Sequence, residues 1–288
     1  MNISYETVKA NDNNDEESNK DNLANSIDND SNNMSNNPEF TGINPKKNIN
    51  SVFEEIIEKN FVSKLKEIRK NENNLGQTQL LVVGLGSGST VSLLVEKFAT
   101  FQEEDKERLG FIPTSYQIKL VGEQSGLKFL DESKIIDIDL VIDGADQIDS
   151  KLNMIKGGGG ALFKEKILMQ SAKEKIIIAD SQKYVSSFTI PVPVEVHPFA
   201  RSAVSKKIGD LGGNPKIRFL KKGYPFITEN GNMILDTQFA KLKKEEIPSL
   251  EGKIKNISGV IEVGLFSSTE NSTYYSLKDD GTFSKQMC

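Results

Sequence analysis

Along the first two thirds of the chain, short apolar runs break off into glycine or acidic residues and alternate with segments of helical spacing. QLLVVGLG leads through SGST into TVSLLVEKF and reads as strand, glycine turn and helix. IDLVIDGAD repeats the strand and turn, with Ile138, Leu140, Val141 and Ile142 ahead of Gly144, and KIIIADS follows a helical segment at 161–172. Alternating strands and helices of this kind imply an α/β fold: a mainly parallel sheet with helices on both faces. Ligands of such sheets bind beyond the carboxyl ends of the strands. SGST, DGAD and ADSQK each follow a strand directly, so one sheet edge should collect them.

Upstream, Phe53, Ile56, Ile57, Phe61, Leu65 and Ile68 recur at spacings of three and four and predict a helix that opens the folded region. Residues 1–48 are crowded with Asn, Asp, Ser and Glu and nearly empty of large apolar side chains, which predicts a disordered extension. Past Pro191 the texture changes. PVPVEVHPFA is followed by a helix at 203–211, a hairpin in FITENGNMILD turning at Asn230-Gly231, a helix at 243–257 and a strand in GVIEVGLF. A smaller α+β domain is expected over 191–266, with 49–190 and the terminal hairpin of 267–288 forming the larger one.

The single cysteine, Cys288, closes no intrachain disulfide, and neither a signal peptide nor a long apolar run is seen. A cytosolic setting is the expectation. A net charge of -5 without a dominant basic cluster argues against nucleic acid as the partner. Any anionic small substrate then needs local positive groups.

In GLGSGST, Gly84, Gly86 and Gly88 permit a tight turn with bare N–H groups, and Ser87, Ser89 and Thr90 add hydroxyls at a helix start. Such a start attracts phosphate; the alternative is a plain strand-to-helix turn. The spacing is not the dinucleotide GxGxxG, and no GK[ST] follows. DGAD sets Asp143 and Asp146 around Gly144, either as pocket carboxylates, as a magnesium site, or, for Asp146, as a turn or helix cap. In KGGGGALFKEKI, Gly157 to Gly160 are entropically costly and fit a backbone that approaches a ligand closely. Lys156 precedes them and Glu165 follows between Lys164 and Lys166, offering an ammonium, a base and an oxyanion site of glycine N–H groups. Taken alone, Glu165 reads as a solvated helix residue. Lys183, after ADSQ, is either a substrate contact or an exposed loop lysine, and His197 is read as structural.

Together GLGSGSTV, PTSYQ, DGADQID, KGGGGALFKEKI, ADSQKYV, PVPVEVHPFARSAV and ENGNMILD resemble the ribose-5-phosphate isomerase A family, in the same order and at similar spacings from Gly84 to Phe266. The resemblance implies a Rossmann-like catalytic domain, a smaller ferredoxin-like domain, dimers or tetramers, a phosphosugar substrate, and neither metal nor cofactor. It implies a phosphate loop at Ser87, Gly88, Ser89 and Thr90, and an acidic loop at Asp143, Gly144, Ala145 and Asp146. A glycine loop falls on Lys156, Gly157, Gly158 and Gly159, the base on Glu165, and a later substrate-binding lysine on Lys183. The implied reaction interconverts ribose 5-phosphate and ribulose 5-phosphate through a cis-enediolate. The chain departs from the family pattern at Gln147, where a glutamate is usual, and at His197, where an aliphatic residue is common. A lysine of the family's first helix also has no clear match here, Lys46 and Lys47 lying nearest. A phosphosugar sensor is the rival reading, but the only appended segment, acidic and Asn-rich, is unsuited to DNA.

Overall fold

The computed structural model describes residues 49–75, 79–134 and 137–288. The polar extension 1–48, with its expected disorder and with Lys46 and Lys47, lies outside the described residues. The amphipathic stripe expected from Phe53 onward is helical, but it is divided: α1 (Asn50–Ile57) passes through a π-turn at Glu58–Val62 into α2 (Ser63–Leu75). Polar side chains take part in this break, since Asn60 Nδ2 donates to the Ile56 carbonyl and Ser63 Oγ to that of Glu58.

From there the chain winds β1 (Leu81–Leu85), α3 (Ser89–Phe98), α4 (Glu103–Lys106), β2 (Leu109–Pro113) and α5 (Tyr116–Gln124), then β3 (Ile138–Asp143). A short pair, β4 (Gln147–Ile148) and β5 (Met154–Ile155), precedes α6 (Leu162–Ser171) and β6 (Ala172–Asp180). Next come β7 (Val192–Val196), α7 (Arg201–Asp210), β8 (Gly213–Ile217), β9 (Met233–Phe239), α8 (Ile247–Lys255) and β10 (Val260–Val263). The chain closes with β11 (Leu265–Phe266), β12 (Ser272–Leu277) and β13 (Phe283–Met287).

Six strands form the main sheet in the order β13-β12-β6-β3-β1-β2, parallel throughout except for the edge strand β13. Both faces are buried. Alternate residues Val83, Leu85, Leu140, Ile142, Ile176 and Ile178 face α1, α3 and α5, while Val141, Ile177 and Ala179 face α6. The chain leaves β1 for β2 on one side and returns to β3 on the other, so the crevice between the ends of β1 and β3 is a topological switch point. This sheet is the α/β fold that the alternating pattern predicts.

Four strands in the order β10-β7-β9-β8 form an antiparallel sheet covered by α7 and α8, and β11-β5-β4 make a small third sheet. The Asn230-Gly231 turn is present with Gly231 at φ +79°; its rising arm pairs across it at Ile227 with Met233 and through the Thr228 N–H to the Asn232 carbonyl at 2.8 Å, while the Phe226 N–H goes to the Arg218 carbonyl. The side chains of Thr228, Asn230 and Asn232 at the turn all donate to one oxygen of the buried Glu195, at 2.8, 3.0 and 2.9 Å. The helix expected at 243–257 starts as a 3₁₀ turn at Lys244–Glu246 and becomes α8 with Pro248 in its first turn.

Phe98 anchors the helical face of the main sheet, with ring centroids 4.7 Å from Phe61, 5.4 Å from Phe101 and 5.2 Å from Phe111. Phe98→Ala should therefore cost about 3–5 kcal/mol of unfolding free energy, read from the urea midpoint at unchanged slope. A cost below about 1 kcal/mol would mean that this cluster is not a packing centre.

Candidate active site

The loop after β1 turns at the switch point because Gly88 adopts φ +100° ahead of α3. Gly86 is required for a different reason: a Cβ there would overlap the Asp143 carboxylate. Asp143 ends β3, and its Oδ1 accepts from the Gly144 N–H at 2.7 Å. Asp146 is placed by its own N–H, which donates to the Ile155 carbonyl at 2.9 Å, and its Oδ2 accepts the Gly158 N–H at 2.8 Å. It caps no helix; it ties the acidic loop to the glycine loop.

Lys156 leaves β5 with its N–H donating to the Gly264 carbonyl, and Gly264 can approach so closely only because it lacks a Cβ. Its ammonium donates to the Gly144 carbonyl at 2.6 Å and lies 2.9 Å from Asp143 Oδ2 and 3.3 Å from Glu165 Oε2. All three charged side chains are buried, with exposures of 1% for Asp143, 3% for Lys156 and 5% for Glu165. Neither carboxylate oxygen facing the ammonium receives a well-angled hydrogen bond, so both retain acceptor capacity within the cavity.

Burial disfavours charge on all three groups and sets the electrostatics of the site. For Glu165, desolvation outweighs the favourable field of Lys156, and the nearby Asp143 and Asp146 add to it, so its carboxyl is pushed up to about 8. Desolvation likewise raises Asp143 against the opposing pull of Lys156. Desolvation opposes the ammonium of Lys156, but the carboxylates of Asp143 and Glu165 outweigh it and hold the proton more firmly than usual. The arrangement is an ammonium fixed in place and two carboxyls poised to bind or release a proton.

All fourteen site residues that the family resemblance implies line one cavity of about 150 Å³. The 87–90, acidic and glycine loops meet there with Glu165 and Lys183. Lys183 ends a 3₁₀ turn just beyond β6, at the same sheet edge as the ends of β1 and β3. Sharing Ser87, Gly88 and Gly159 with it is a cavity of about 380 Å³ walled by Thr114, Ser115, Gln117, Lys164 and Phe226. Ser87 Oγ donates to Ser115 Oγ at 2.7 Å and shares a 2.8 Å hydrogen bond with Thr114 Oγ1. Both partners belong to PTSYQ, which carried no individual role in the sequence. Lys164 and Lys166 diverge on either side of Glu165. Lys164 pairs with Glu229, whereas Lys166 turns away into a buried cradle of Glu251, the Val263 and Leu265 carbonyls and the Phe266 ring.

Of the three departures from the family pattern, those at Gln147 and His197 lie outside this cavity. Gln147 exchanges hydrogen bonds with the Thr189 side chain and N–H, and His197 Nδ1 accepts from the Phe199 N–H at the start of a 3₁₀ turn. Among the described residues no group of three or more His, Cys, Asp and Glu side chains is gathered as for a metal, and no helix is long and apolar enough to cross a membrane.

Residues 110–280 match the family described as ribose 5-phosphate isomerase A (phosphoriboisomerase A). A curated relative, ribose-5-phosphate isomerase A of Archaeoglobus fulgidus, is 42% identical over 188 residues, covering 65% of this chain and 83% of its own. Among solved structures, ribose 5-phosphate isomerase A from Methanocaldococcus jannaschii superposes with a TM-score of 0.66 at 32% identity, over 78% of this chain and 99% of that one. A D-ribose-5-phosphate isomerase in complex with phospho-erythronic acid matches equally, with a TM-score of 0.66 at 30% identity over 78% of this chain and 99% of that one.

The Glu165 carboxyl should titrate near pH 8, against an ordinary 4.5, in carboxyl-¹³C NMR. Because its folded-state value is raised, the folded protein holds the extra proton between those limits, and stability falls as pH rises through them. This contribution to the slope is at most about 1.4 kcal/mol per pH unit. Glu165→Gln should flatten the decline in urea-unfolding free energy between about pH 5 and about pH 8; an equal decline in both proteins would remove Glu165 as its source.

Proposed function

The chain belongs to the ribose 5-phosphate isomerase A family and shares its isomerase activity, and we propose that the 150 Å³ cavity converts ribose 5-phosphate to ribulose 5-phosphate with Glu165 as the general base. The observation that carries this reading is the buried Glu165 carboxylate, whose Oε2 lies 3.3 Å from the Lys156 ammonium and receives no well-angled hydrogen bond. A base beside a fixed cation suits a reaction that builds negative charge one bond away from the proton being removed.

In this reading Asp143 or Asp146 assists ring opening, and the substrate phosphate sits on the 87–90 loop. The bare N–H groups and dipole at the start of α3 favour it there, and Lys183 adds a cation. Glu165 takes the proton from C2, and the electrons of that C–H bond form the C1–C2 double bond while the aldehyde π pair moves to O1. Lys156, the N–H groups of the glycine loop and a protonated Asp143 stabilise the resulting enediolate. Glu165 returns its proton to C1 while the O2 hydroxyl proton passes to O1, leaving a ketone at C2 and a hydroxyl at C1. Hydrogen count and oxidation level are conserved, so one base and one oxyanion site suffice. The phospho-erythronic acid held by the related structure supports this reading, because a four-carbon acid phosphate presents a planar carboxylate resembling the enediolate end of the substrate. Assembly as a dimer or tetramer and a cytosolic setting form part of the same proposal, by family resemblance.

Two outcomes are expected. In EDTA, Glu165→Gln should lose about 100- to 10,000-fold in kcat while phospho-erythronic acid still binds; near-normal turnover would sink the base assignment. For the wild type, kcat/KM should rise with pH through about 8, as the base loses its proton. A profile already flat above about pH 5 would show that the free base carries an ordinary pKa.

A further inference from the structure

Arg218 lies just beyond β8, in a strongly basic stretch with no sequence signal of its own. Its backbone is fixed on both sides, with its N–H donating to the Ile234 carbonyl and its carbonyl accepting from the Phe226 N–H, each at 2.9 Å. The side chain is 15% exposed and makes a two-pronged pair with Asp236 on β9, Nε to Oδ2 at 2.9 Å and Nη2 to Oδ1 at 2.6 Å. Its remaining nitrogen, Nη1, donates to the carbonyls of Gly157 and Gly158 at 2.9 and 2.8 Å. One planar fork is thus clamped to the small antiparallel sheet while grasping two successive peptides of the glycine loop.

A trans peptide points its N–H opposite to its carbonyl. Holding the Gly157 carbonyl therefore aims the Gly158 N–H the other way, where it meets Asp146 Oδ2 at 2.8 Å. Holding the Gly158 carbonyl turns the Gly159 N–H away from the guanidinium in the same manner. Gly159 borders both adjoining cavities, and among the described residues no acceptor takes its N–H. The Gly157 carbonyl also accepts from the Gly160 N–H at 3.0 Å, whereas among the described residues the hold on the Gly158 carbonyl is that of Arg218, within a run of four glycines of little conformational preference.

We propose that Arg218 is a positioning residue for the isomerisation: by chelating the Gly157 and Gly158 carbonyls it orients the Gly159 N–H toward the substrate oxyanion and fixes Asp146 through Gly158. The proposal rests on the cavity being the isomerase site and adds a residue from the second sheet to its machinery. Asp236 holds the fork in register. A lysine has charge and length but a single point of donation, so it cannot keep both the Asp236 pair and the two carbonyls in one plane.

The test compares wild type with Arg218→Lys and Asp236→Asn, reading kcat, KM, phospho-erythronic acid inhibition, inorganic phosphate affinity and amide exchange at Gly158. Arg218→Lys should lower kcat and phospho-erythronic acid affinity on the order of 10- to 100-fold. Phosphate affinity, set by the 87–90 loop, should stay within about 3-fold, the two being separable sites of contact. Asp236→Asn should move the same quantities in the same direction but less, and Gly158 exchange should quicken in both variants. In Arg218→Ala, added guanidinium ion should restore part of kcat without changing phosphate affinity. Unchanged kcat in folded Arg218→Lys would overturn the proposal, as would equal losses of phosphate and phospho-erythronic acid binding with no rescue, which is the pattern of general unfolding. Absence of isomerase turnover in the wild type would instead defeat the reading of the site, while Gly158 exchange would still report whether Arg218 holds the loop.

Discussion

A single buried ammonium, that of Lys156, stands among two carboxylates and a carbonyl that could not be packed so closely without it. Removing charged groups from water is unfavourable unless they are paired and hydrogen-bonded. Asp143 and Glu165 illustrate the resulting compromise: burial lifts both toward their neutral forms, while Lys156 holds them back from full protonation. The outcome is a carboxyl that exchanges its proton near neutral pH beside a cation that does not release its own. Close backbone packing around the triad follows from the same need. Gly86 gives way to the Asp143 carboxylate, and Gly264 lets β11 reach the Lys156 backbone.

Topology brings the triad together. Asp143 arrives at the end of β3, across the switch point from the glycine turn that follows β1, and Glu165 comes from the first turn of α6. Lys156 is delivered by the small third sheet through β5. The buried Lys166 fastens the same turn of α6 to Glu251 and to the backbone of β10 and β11, so Glu165 is carried by a helix held on both sides. The main sheet and the small third sheet, which share a hydrophobic cluster through Ile148, Met154 and Phe266, thus converge on one cavity.

Glycine and acidic residues at strand ends made the three loops legible in the sequence, because few other folds need those residues there. Glu165 was less legible. It lies between two lysines, a pattern typical of solvent, and only the structure separates the half-buried Lys164 side from the buried Lys166 side. The hydroxyls of Thr114 and Ser115 stood in a recognisable segment whose chemistry depends on contact with Ser87, a pairing across two loops. Arg218 was illegible: a basic residue among lysines acquires meaning only when its fork meets Asp236 and two carbonyls about sixty positions away in the chain. The hairpin at Asn230-Gly231 is present but short, because beyond Ile227 the backbone of its rising arm pairs with the segment at Arg218 and Phe219.

The account depends most on Lys156 acting as the counter-charge of Glu165. The direct measurement is the carboxyl-¹³C titration of Glu165 in Lys156→Met, a substitution that keeps much of the side chain's bulk and removes its charge. With the cation gone, burial and the remaining carboxylates act unopposed, so the Glu165 pKa should rise further above about 8 and the carboxyl should stay protonated at neutral pH. A pKa unchanged or lowered in that variant would contradict the assignment of Lys156 as the group that holds the site's charge.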